Sequence, residues 1–240
     1  MVTGASRGIG LASARALALR GAHVFMVARR TKPLDIAVAK ILESGLLASA
    51  ISADMGDPSA AGQILAAVSA VGRLDIVVNN AGSDLEAPLA DTSDADWERL
   101  LQVNVVGPFR LLRECEDLLA ASSCARVVNI ASVFAVVGVA NWVAYGASKG
   151  GVISGSRALA VEWASKGINV NVVAPGHTAT DMTAKAFTDP QMMRRIEHRI
   201  PLGRAGSPTD IAEVVSFLSG DGASWITGQV HNVDGGWSCR

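Results

Sequence analysis

The chain has little of the chemistry on which metal sites, disulfide frameworks and nucleic-acid contacts depend. It has three cysteines and four histidines in 240 residues, and Cys115, Cys124 and Cys239 have neither metal-ligand nor redox-motif spacing. Its net charge of −1 provides no basic surface for nucleic acid or a membrane. We therefore expect no metal, no nucleic-acid partner and no membrane partner. The odd number of cysteines, with no signal peptide ahead of the first glycines, favours reduced thiols and a cytoplasmic location.

Charge is also missing from one long stretch, residues 127–148. Its length is enough to span a bilayer. However, Ser132, Asn141 and Tyr145 are polar, and Gly138 interrupts the apolar run. We interpret the stretch as a buried strand, an active-site loop and the start of a helix.

No proline- or serine-rich stretch, charge run or low-complexity tract divides the chain. Apolar, strand-like runs alternate with helical segments, as in a parallel sheet that is buried on both faces. We expect strands over 24–27, 46–51, 76–78, 126–131, 168–174 and 230–233. We expect helices over 9–20, 33–44, 59–71, 93–101, 103–120, 142–165 and 207–219. The alternation predicts one α/β domain over residues 1–240, with a doubly wound Rossmann-type parallel sheet flanked by helices.

The first residues combine three glycines with the start of a helix. Gly4, Gly8 and Gly10 have the spacing Gly-x-x-x-Gly-x-Gly, and a helical stretch follows from Leu11 to Arg20. Glycines let the backbone approach a ligand closely, and a helix N-terminus attracts anions through its free N–H groups and its dipole. Because a second strand follows the helix, the pattern indicates a dinucleotide pyrophosphate site.

The residues after the second predicted strand bear on which nicotinamide cofactor binds. An acid there suits the ribose 2′-hydroxyl of NAD, and a cation nearby suits the 2′-phosphate of NADP. This chain has Arg29 and Arg30 at that point, and Arg7 in the glycine segment is within reach of the same phosphate. Guanidinium groups bind phosphate through paired hydrogen bonds. We expect NADP(H) to be preferred, with NAD(H) as the alternative.

The chain has one tyrosine, Tyr145, and Lys149 follows it four residues later. Residues four apart lie on the same face of a helix, so we expect the Lys149 ammonium to lower the pKa of the phenol. Such a shift matters because a phenol titrates near ~10 and transfers protons poorly at neutral pH. Ser132 lies upstream of this pair. The three side chains are candidates for acid–base chemistry.

Six ordered motifs make the chain resemble the classical short-chain dehydrogenase/reductase family over essentially its whole length. They are Thr3–Gly10, Asn79–Gly82, Asn104, the set Ser132, Tyr145 and Lys149, Pro175–Gly176, and the final segment Thr227–Gly236. The pattern is similar to that of 3-oxoacyl-carrier-protein reductases and of sugar or polyol dehydrogenases. The family usually has a longer first strand, whereas two residues precede Thr3 here. Either the start is misassigned or the strand is truncated.

The resemblance implies reversible hydride transfer between a nicotinamide and a carbonyl or secondary alcohol. It implies that Tyr145 protonates the substrate oxygen and that Ser132 donates a hydrogen bond to the same oxygen. Lys149 is expected to lower the pKa of Tyr145 and to bond the nicotinamide ribose. Asn104 is expected to hold a water molecule of a proton relay. The complete set favours an enzyme over a nucleotide-binding protein with a dead site.

The resemblance also implies a set of cofactor contacts. These residues are Gly4, Ser6, Arg7, Gly8, Ile9, Gly10, Arg29, Asp54, Met55, Asn80, Ala81, Gly82, Tyr145, Lys149, Pro175, Gly176, Thr178 and Thr180. Asp54 and Met55 are expected beside the adenine, although an acid such as Asp54 is also typical of a turn or helix cap. Thr178 and Thr180 are expected at the carboxamide or the phosphates.

We expect residues 178–206 to form a lid over the substrate. Its apolar side chains either line an adaptable pocket or pack the lid on the core; they are Met182, Phe187, Met192 and Met193. The substrate, a small molecule or an acyl thioester, is expected between this lid and a set of mostly apolar residues, namely Phe134, Val136, Asn141 and Trp142. His177 either faces the substrate or packs in its loop.

Two substrate classes stay open. One is a 3-oxoacyl thioester on an acidic carrier protein, for which Arg126 and Lys166 are candidate docking cations, or simply surface charges. The other is a sugar, polyol, steroid or other small alcohol. The resemblance further implies a homotetramer paired through the helices expected over 103–120 and 142–165. Several apolar residues there suit either an interface or the core: Leu111, Leu112, Leu118, Leu119 and Trp163.

Overall fold

Seven parallel strands form one sheet in the computed structural model, which describes residues 1–184 and 189–239. The strands are β1 (Val2–Thr3), β2 (Val24–Ala28), β3 (Ala48–Ser52), β4 (Ile76–Asn79), β5 (Arg126–Ile130), β6 (Asn169–Pro175) and β7 (Val230–Val233). Their spatial order is β3-β2-β1-β4-β5-β6-β7. The predicted α/β class and the parallel sheet are confirmed.

Helices cover both faces of this sheet. They are α1 (Gly8–Leu19), α2 (Thr31–Glu43), α3 (Ala60–Val68), α4 (Asp94–Leu101), α5 (Gly107–Glu114), α6 (Glu116–Ala120), α7 (Val143–Trp163), α8 (Pro190–Arg199) and α9 (Pro208–Leu218). Leu17 of α1 and Val215 of α9 belong to one core. Ile64 of α3 and Trp163 of α7 belong to a second core on the opposite face.

Strand β5 shows why the strands read as uninterrupted apolar runs. Val127 packs into the core of α3 and α7, whereas its neighbour Val128 packs into the core of α1 and α9. Both faces of the strand are therefore buried, and each valine contributes about 1.5–3 kcal/mol. The uncharged stretch 127–148 is the strand, loop and helix start that the sequence indicated. Within the described parts of the chain, the helices are too short or too polar to cross a membrane.

The strand order reverses next to β1, which pairs with β2 through Val2 and Met26 and with β4 through Val2 and Val78. The loops that follow β1 and β4 therefore leave in opposite directions. In open α/β sheets such a reversal leaves a crevice at the carboxyl ends of the strands, where ligands bind. Strand β1 is as short as the sequence suggested, and the Met1 ammonium continues the ladder by donating to the Ile76 carbonyl at 2.7 Å.

The helix expected over 103–120 is divided into three pieces. A π-helical turn, Gln102–Val106, leads into α5, and Cys115 separates α5 from α6. At the junction, a Cβ on Gly107 would lie 2.2 Å from the carbonyl oxygen of Met55. The helix backbone thus touches the loop after β3. We attribute the departure from one continuous helix to this tertiary contact, which a helical sequence pattern does not reveal.

Replacement of Gly107 by alanine is expected to lower the free energy of unfolding by about 1–3 kcal/mol, because the added methyl group overlaps the Met55 backbone. Gly62→Ala is the matched control, since nothing lies within 4 Å of its Cβ position. At this exposed position in the first turn of α3 it is expected to raise stability by up to ~1 kcal/mol. Urea unfolding of both variants measures the difference. Equal effects of the two substitutions would contradict the contact.

Candidate active site

The turn after β1 is built from glycines in close contact with a neighbouring turn. Gly4 and Gly8 have φ values of 66° and 56°, a region that favours glycine. A Cβ on Gly10 would lie 2.3 Å from the Gly4 carbonyl oxygen and 2.5 Å from Nδ2 of Asn80. Helix α1 begins at Gly8, so its first N–H groups lie at the crevice without helical partners.

Hydrogen bonds tie this turn to the turn after β4. The Asn80 amide donates to the carbonyl oxygens of Thr3 and Gly4 at 2.9 and 3.3 Å. In return, the Thr3 hydroxyl accepts from the backbone N–H groups of Asn80 and Ala81, both at 3.0 Å. Each turn therefore fixes the position of the other. The crevice has a preformed floor.

A cavity of about 460 Å³ lies in this crevice. Most of the predicted cofactor residues line it: Gly4, Ser6, Arg7, Gly8, Ile9, Arg29, Asp54, Met55, Asn80, Ala81, Gly82 and Thr180. Others line it without a signal in the sequence, among them Ser83, Arg99, Val103 and Asp181. No sequence motif marks these residues, and they reach the cavity only when the chain folds. The Asp54 carboxylate also accepts from the Gly56 N–H at 3.0 Å, so the turn interpretation of this acid holds as well.

Four predicted cofactor residues lie behind the cavity lining: Gly10, Pro175, Gly176 and Thr178. A Cβ on Gly176 would lie 2.7 Å from Cα of Asp234, so the end of β6 packs directly on the last loop. Thr178 is buried, and its hydroxyl donates to the Gly176 carbonyl at 3.0 Å. These residues thus make structural contacts, and their contact with a cofactor stays a prediction.

The arginines that the sequence selected are paired with carboxylates across the cavity mouth. Arg7 lies 3.0 Å from Asp181, and Arg29 lies 3.7 Å from Asp54. All four side chains are about half exposed or more. Exposed ion pairs contribute about 0–1 kcal/mol each. Both guanidinium groups are therefore free to exchange these partners for a phosphate at little cost.

Ser132, Tyr145 and Lys149 converge at the carboxyl end of β5. Ser132 lies two residues after the last residue of the strand, and the other two lie one turn apart on α7. The buried Lys149 ammonium donates to the Ile130 carbonyl at 2.9 Å and lies 5.9 Å from the centroid of the Tyr145 ring. A Cβ on Gly82 would lie 3.4 Å from this ammonium. Since Gly82 lines the cavity, the catalytic candidates adjoin it.

Asn104 is buried in the π-helical turn, and its side chain is occupied by protein partners. Its amide nitrogen donates to the Ser83 carbonyl at 2.8 Å and to the Ser148 hydroxyl at 3.0 Å. Its side-chain oxygen accepts from the Ser83 N–H at 2.8 Å. The side chain thus fixes the Ser83 segment against α7. A water-holding role for Asn104 stays a prediction.

The expectation that the Tyr145 pKa lies below its usual value is wrong for this structure. Burial raises the pKa of Tyr145 to about 12, and the hydrogen bond with Ser132 opposes this rise only in part. Burial also lowers the pKa of Lys149 to about 8. The sequence shows that the two residues share a helix face, but desolvation depends on what folds over them. Tyr145 is therefore held as a protonated phenol at neutral pH.

Five rings meet around the catalytic candidates, and we call them the aromatic cluster: Phe134, Trp142, Tyr145, His177 and Trp237. Each is half-buried. His177 therefore packs beside the predicted substrate residues Phe134 and Trp142. The pKa of its imidazole is lowered by burial and, to a smaller extent, by Arg199. Sequence reasoning missed Trp237 because it lies almost one hundred residues along the chain from Trp142, the other tryptophan of the cluster.

The two ends of the expected lid are joined to each other. The Ala179 N–H donates to the Gly206 carbonyl at 2.8 Å, and the Gly206 N–H donates to the His177 carbonyl at 2.9 Å. Between these ends, Met182 lines the cavity and α8 carries Met192 and Met193. Phe187 lies outside the described residues. The expected lid therefore begins and ends at neighbouring positions in the fold.

The candidate docking cations are poorly placed for an acidic partner. Arg126 is buried, with 6% of its surface exposed. Lys166 is paired with Glu116, and Asp117 and Glu162 also raise the pKa of its ammonium. Arg126 is therefore unavailable as a docking cation, whereas Lys166 is exposed among acidic side chains and its role in docking stays a prediction.

Most of the apolar residues considered for an interface belong to the core. Leu111, Leu112 and Leu119 are at most 1% exposed, and Trp163 is 2% exposed. Leu118 packs partly against the same core. These side chains therefore provide no evidence for pairing between subunits.

Comparison with known proteins places this geometry in a family. A family model described as enoyl-(acyl carrier protein) reductase matches residues 4–238. A 3-oxoacyl-[acyl-carrier-protein] reductase from Synechocystis sp. is 38% identical over 98% of this chain and 95% of its own length. A galactitol 2-dehydrogenase (L-tagatose-forming) from Cereibacter sphaeroides is 37% identical over 99% of this chain and 93% of its own.

Solved structures agree in fold. One from Beutenbergia cavernae, provisionally assigned as an NAD(P)-dependent gluconate 5-dehydrogenase, contains NADP at low occupancy. It is 39% identical, with a TM-score of 0.95 over 100% of this chain and 96% of that chain. The coverage leaves no part of the sheet unmatched. The chain belongs to the short-chain dehydrogenase/reductase family of oxidoreductases, which act on hydroxyl and oxo groups.

Proposed function

We propose that this protein is an NADP(H)-dependent oxidoreductase that transfers a hydride between the nicotinamide and a carbonyl compound or secondary alcohol. The convergence of Ser132, Tyr145 and Lys149 beside the cavity carries the proposal. An acid, a hydrogen-bond donor and a cation then meet where the substrate oxygen has to lie. The relatives named above act on different substrates by their names, so they support the reaction class rather than one substrate.

The residues present fit a dinucleotide. The glycine turn lines the cavity through Gly4 and Gly8, and α1 begins beside it. A pyrophosphate is stabilised by the free N–H groups of such a helix end. The bound nicotinamide would supply or accept the hydride. The cavity volume of about 460 Å³ is of the size that cofactor sites have.

The state of Tyr145 favours its role as an acid in carbonyl reduction. Because its pKa is raised to about 12, the phenol is protonated and ready to give its proton to the developing alkoxide. Ser132 would donate a second hydrogen bond to the same oxygen. The Lys149 ammonium then stabilises the phenolate that remains. In alcohol oxidation the same steps run in reverse.

The preference for NADP(H) rests on Arg7 and Arg29. Both line the cavity, and both have exposed carboxylate partners that a 2′-phosphate would replace. A bidentate guanidinium–phosphate contact is stronger than an exposed ion pair. NAD(H) with a sugar or polyol substrate is the second candidate, favoured by the likeness to galactitol 2-dehydrogenase.

A lid and a homotetramer complete the proposal. The segment 178–206 would close over bound substrate from its joined ends, His177 and Gly206.

Exposed apolar side chains support pairing through the helices around α5 and α7, since Val161 is 81% exposed and Val106 is 40% exposed. The three cysteines are free thiols, as expected for a protein of the reducing cytoplasm.

Tyr145→Phe removes only the hydroxyl group that transfers the proton. We expect kcat for NADPH-dependent ketone reduction to fall by about 10²–10⁴-fold, while the affinity for NADPH changes little. Initial rates of NADPH oxidation and fluorescence titration of NADPH binding measure the two quantities. Activity close to that of the unmodified protein would rule out Tyr145 as the acid.

Arg29→Ala is expected to raise KM for NADPH about tenfold or more, because a charge-assisted contact to the 2′-phosphate is lost. KM for NADH should change little, since NADH lacks that phosphate. Arg15→Ala, at an exposed position on α1, serves as the control for loss of a surface cation. An equal change in KM for both cofactors would show that Arg29 does not select between them.

The reduction rate is expected to fall as pH rises through about 8. Lys149, whose pKa is lowered to about 8, loses its proton in this range, and the phenolate formed in reduction loses its cation. Tyr145 stays protonated there, because its pKa is about 12. In Lys149→Arg, which keeps its charge, the residual rate should not fall near pH 8. A pH profile of kcat that is the same in both proteins would contradict this assignment.

A further inference from the structure

The aromatic cluster has Phe134 at its centre. The centroid of this ring lies 5.0 Å from Trp142, 5.5 Å from Trp237 and 5.8 Å from His177. The Tyr145 ring is perpendicular to Phe134 at 6.2 Å. The proton donor of the proposed reaction is therefore a member of the cluster. A substrate whose oxygen reached Tyr145 would lie beside these rings.

Backbone contacts fix Phe134. Its N–H donates to the Ser132 hydroxyl at 3.2 Å. On the other side, a Cβ on Gly146 would lie 2.8 Å from the Phe134 carbonyl oxygen, so the first turn of α7 presses on this segment. The ring is thus placed by the same elements that place Ser132 and Tyr145.

Trp142 is fixed by an unusual residue before it. Asn141 has a φ of 67°, a left-handed conformation that asparagine tolerates better than most residues. Its carbonyl accepts from the Ala87 N–H at 2.9 Å, and the Trp142 carbonyl accepts from the Gly146 N–H at 2.8 Å. These contacts turn the chain so that the indole lies 5.5 Å from Tyr145.

Trp237 is fixed by a buried carboxylate. The Asp234 side chain accepts from the N–H groups of Gly236 and Ser238 at 2.8 and 2.9 Å. The Trp237 N–H donates to the Asp234 carbonyl at 3.3 Å. Since Asp234 also packs on Gly176, this turn is held beside His177, whose ring is 4.9 Å from Trp237.

The surface offered to a substrate is therefore preorganised and largely aromatic. Aromatic pairs add about 0.5–1.5 kcal/mol each beyond the burial of apolar area, which corresponds to about two- to twelvefold in affinity. A polyol would give up its hydrogen bonds to water at such a surface and find few replacements on the rings. For a thioester on an acidic carrier protein, Arg126 is buried and offers no docking charge.

We propose that the aromatic cluster is a substrate platform, and that the preferred substrate is a freely diffusing ketone or secondary alcohol with a flat, apolar ring system beside the reacting carbon. In reduction, the carbonyl carbon gains the hydride of the reduced nicotinamide and the oxygen gains the Tyr145 proton. The ketone is reduced and the nicotinamide oxidised. This inference rests on the proposed function and adds the substrate class to it.

The experiment compares 2-tetralone with 2-decanone, two ketones with the same number of carbon atoms, of which only the first contains a flat ring. We expect kcat/KM with NADPH to be at least about tenfold higher for 2-tetralone. In Trp237→Leu that preference should be lost through a fall in the value for 2-tetralone, with 2-decanone nearly unchanged. Trp237→Phe, which keeps a ring, should retain most of the preference.

Trp225→Leu is the matched control, because Trp225 is 99% exposed and shares no contact with the described rings of the cluster. It should change neither value. Equal values for the two ketones in the unmodified protein, or a fall for both in Trp237→Leu, would overturn the substrate class and leave the proposed function intact. Galactitol oxidation with NADP⁺ faster than that of 2-tetralol would overturn it as well.

Binding is measured separately by equilibrium dialysis of 2-tetralone in the presence of NADP⁺. Weaker binding to Trp237→Leu than to Trp225→Leu supports the platform even if neither ketone is turned over. Equal binding overturns the platform. Turnover of 2-decanone alone would therefore defeat this inference, whereas dinucleotide binding without turnover of any ketone or alcohol would defeat the proposed function.

Discussion

The interlock between the turns after β1 and β4 is the constraint on which the rest of the site depends. Thr3 and Asn80 exchange hydrogen bonds across these turns, and Gly10 leaves no room for a side chain between them. The strand reversal would open a crevice in any such sheet. Here the interlock gives that crevice a fixed floor. The cofactor residues on one side and Lys149 on the other are placed relative to it through Gly82.

A second consequence is electrostatic. Lys149 is buried with one carbonyl partner among the described hydrogen bonds, and the Tyr145 ring lies 5.9 Å from its ammonium. Burial lowers the pKa of Lys149 to about 8 and raises the pKa of Tyr145 to about 12. Each shift disfavours the charged form. At neutral pH the phenol therefore keeps its proton. The same desolvation favours the uncharged form of Lys149, the cation that would otherwise promote loss of that proton.

The sequence was sufficient for the sheet, because its central strands are short runs of apolar residues, such as Val127 and Val128, that are buried on both faces. It was sufficient for the glycine turn and for the shared face of Tyr145 and Lys149, because spacing alone fixes both. It failed for the pKa of Tyr145 and for the burial of Arg126. Both properties depend on elements that are distant in sequence and close only after folding.

The same reasoning explains which site residues the sequence missed. Asp181 reaches Arg7 across more than 170 residues, and Trp237 joins rings whose other members lie between residues 134 and 177. A local pattern carries no information on such contacts. The close approach of Gly107 to the loop at Met55 is of this kind too. The periodicity of apolar residues predicts strands and helices. It does not predict which of their ends come into contact, and the structure has to show this.

The most direct test of the central claim is carbonyl-dependent oxidation of NADPH, followed by absorbance in parallel with NADH over a panel of ketones. The account predicts turnover with at least one ketone, and faster turnover with NADPH than with NADH. An absence of turnover with every ketone and alcohol, in a protein that still binds the dinucleotide, would contradict it.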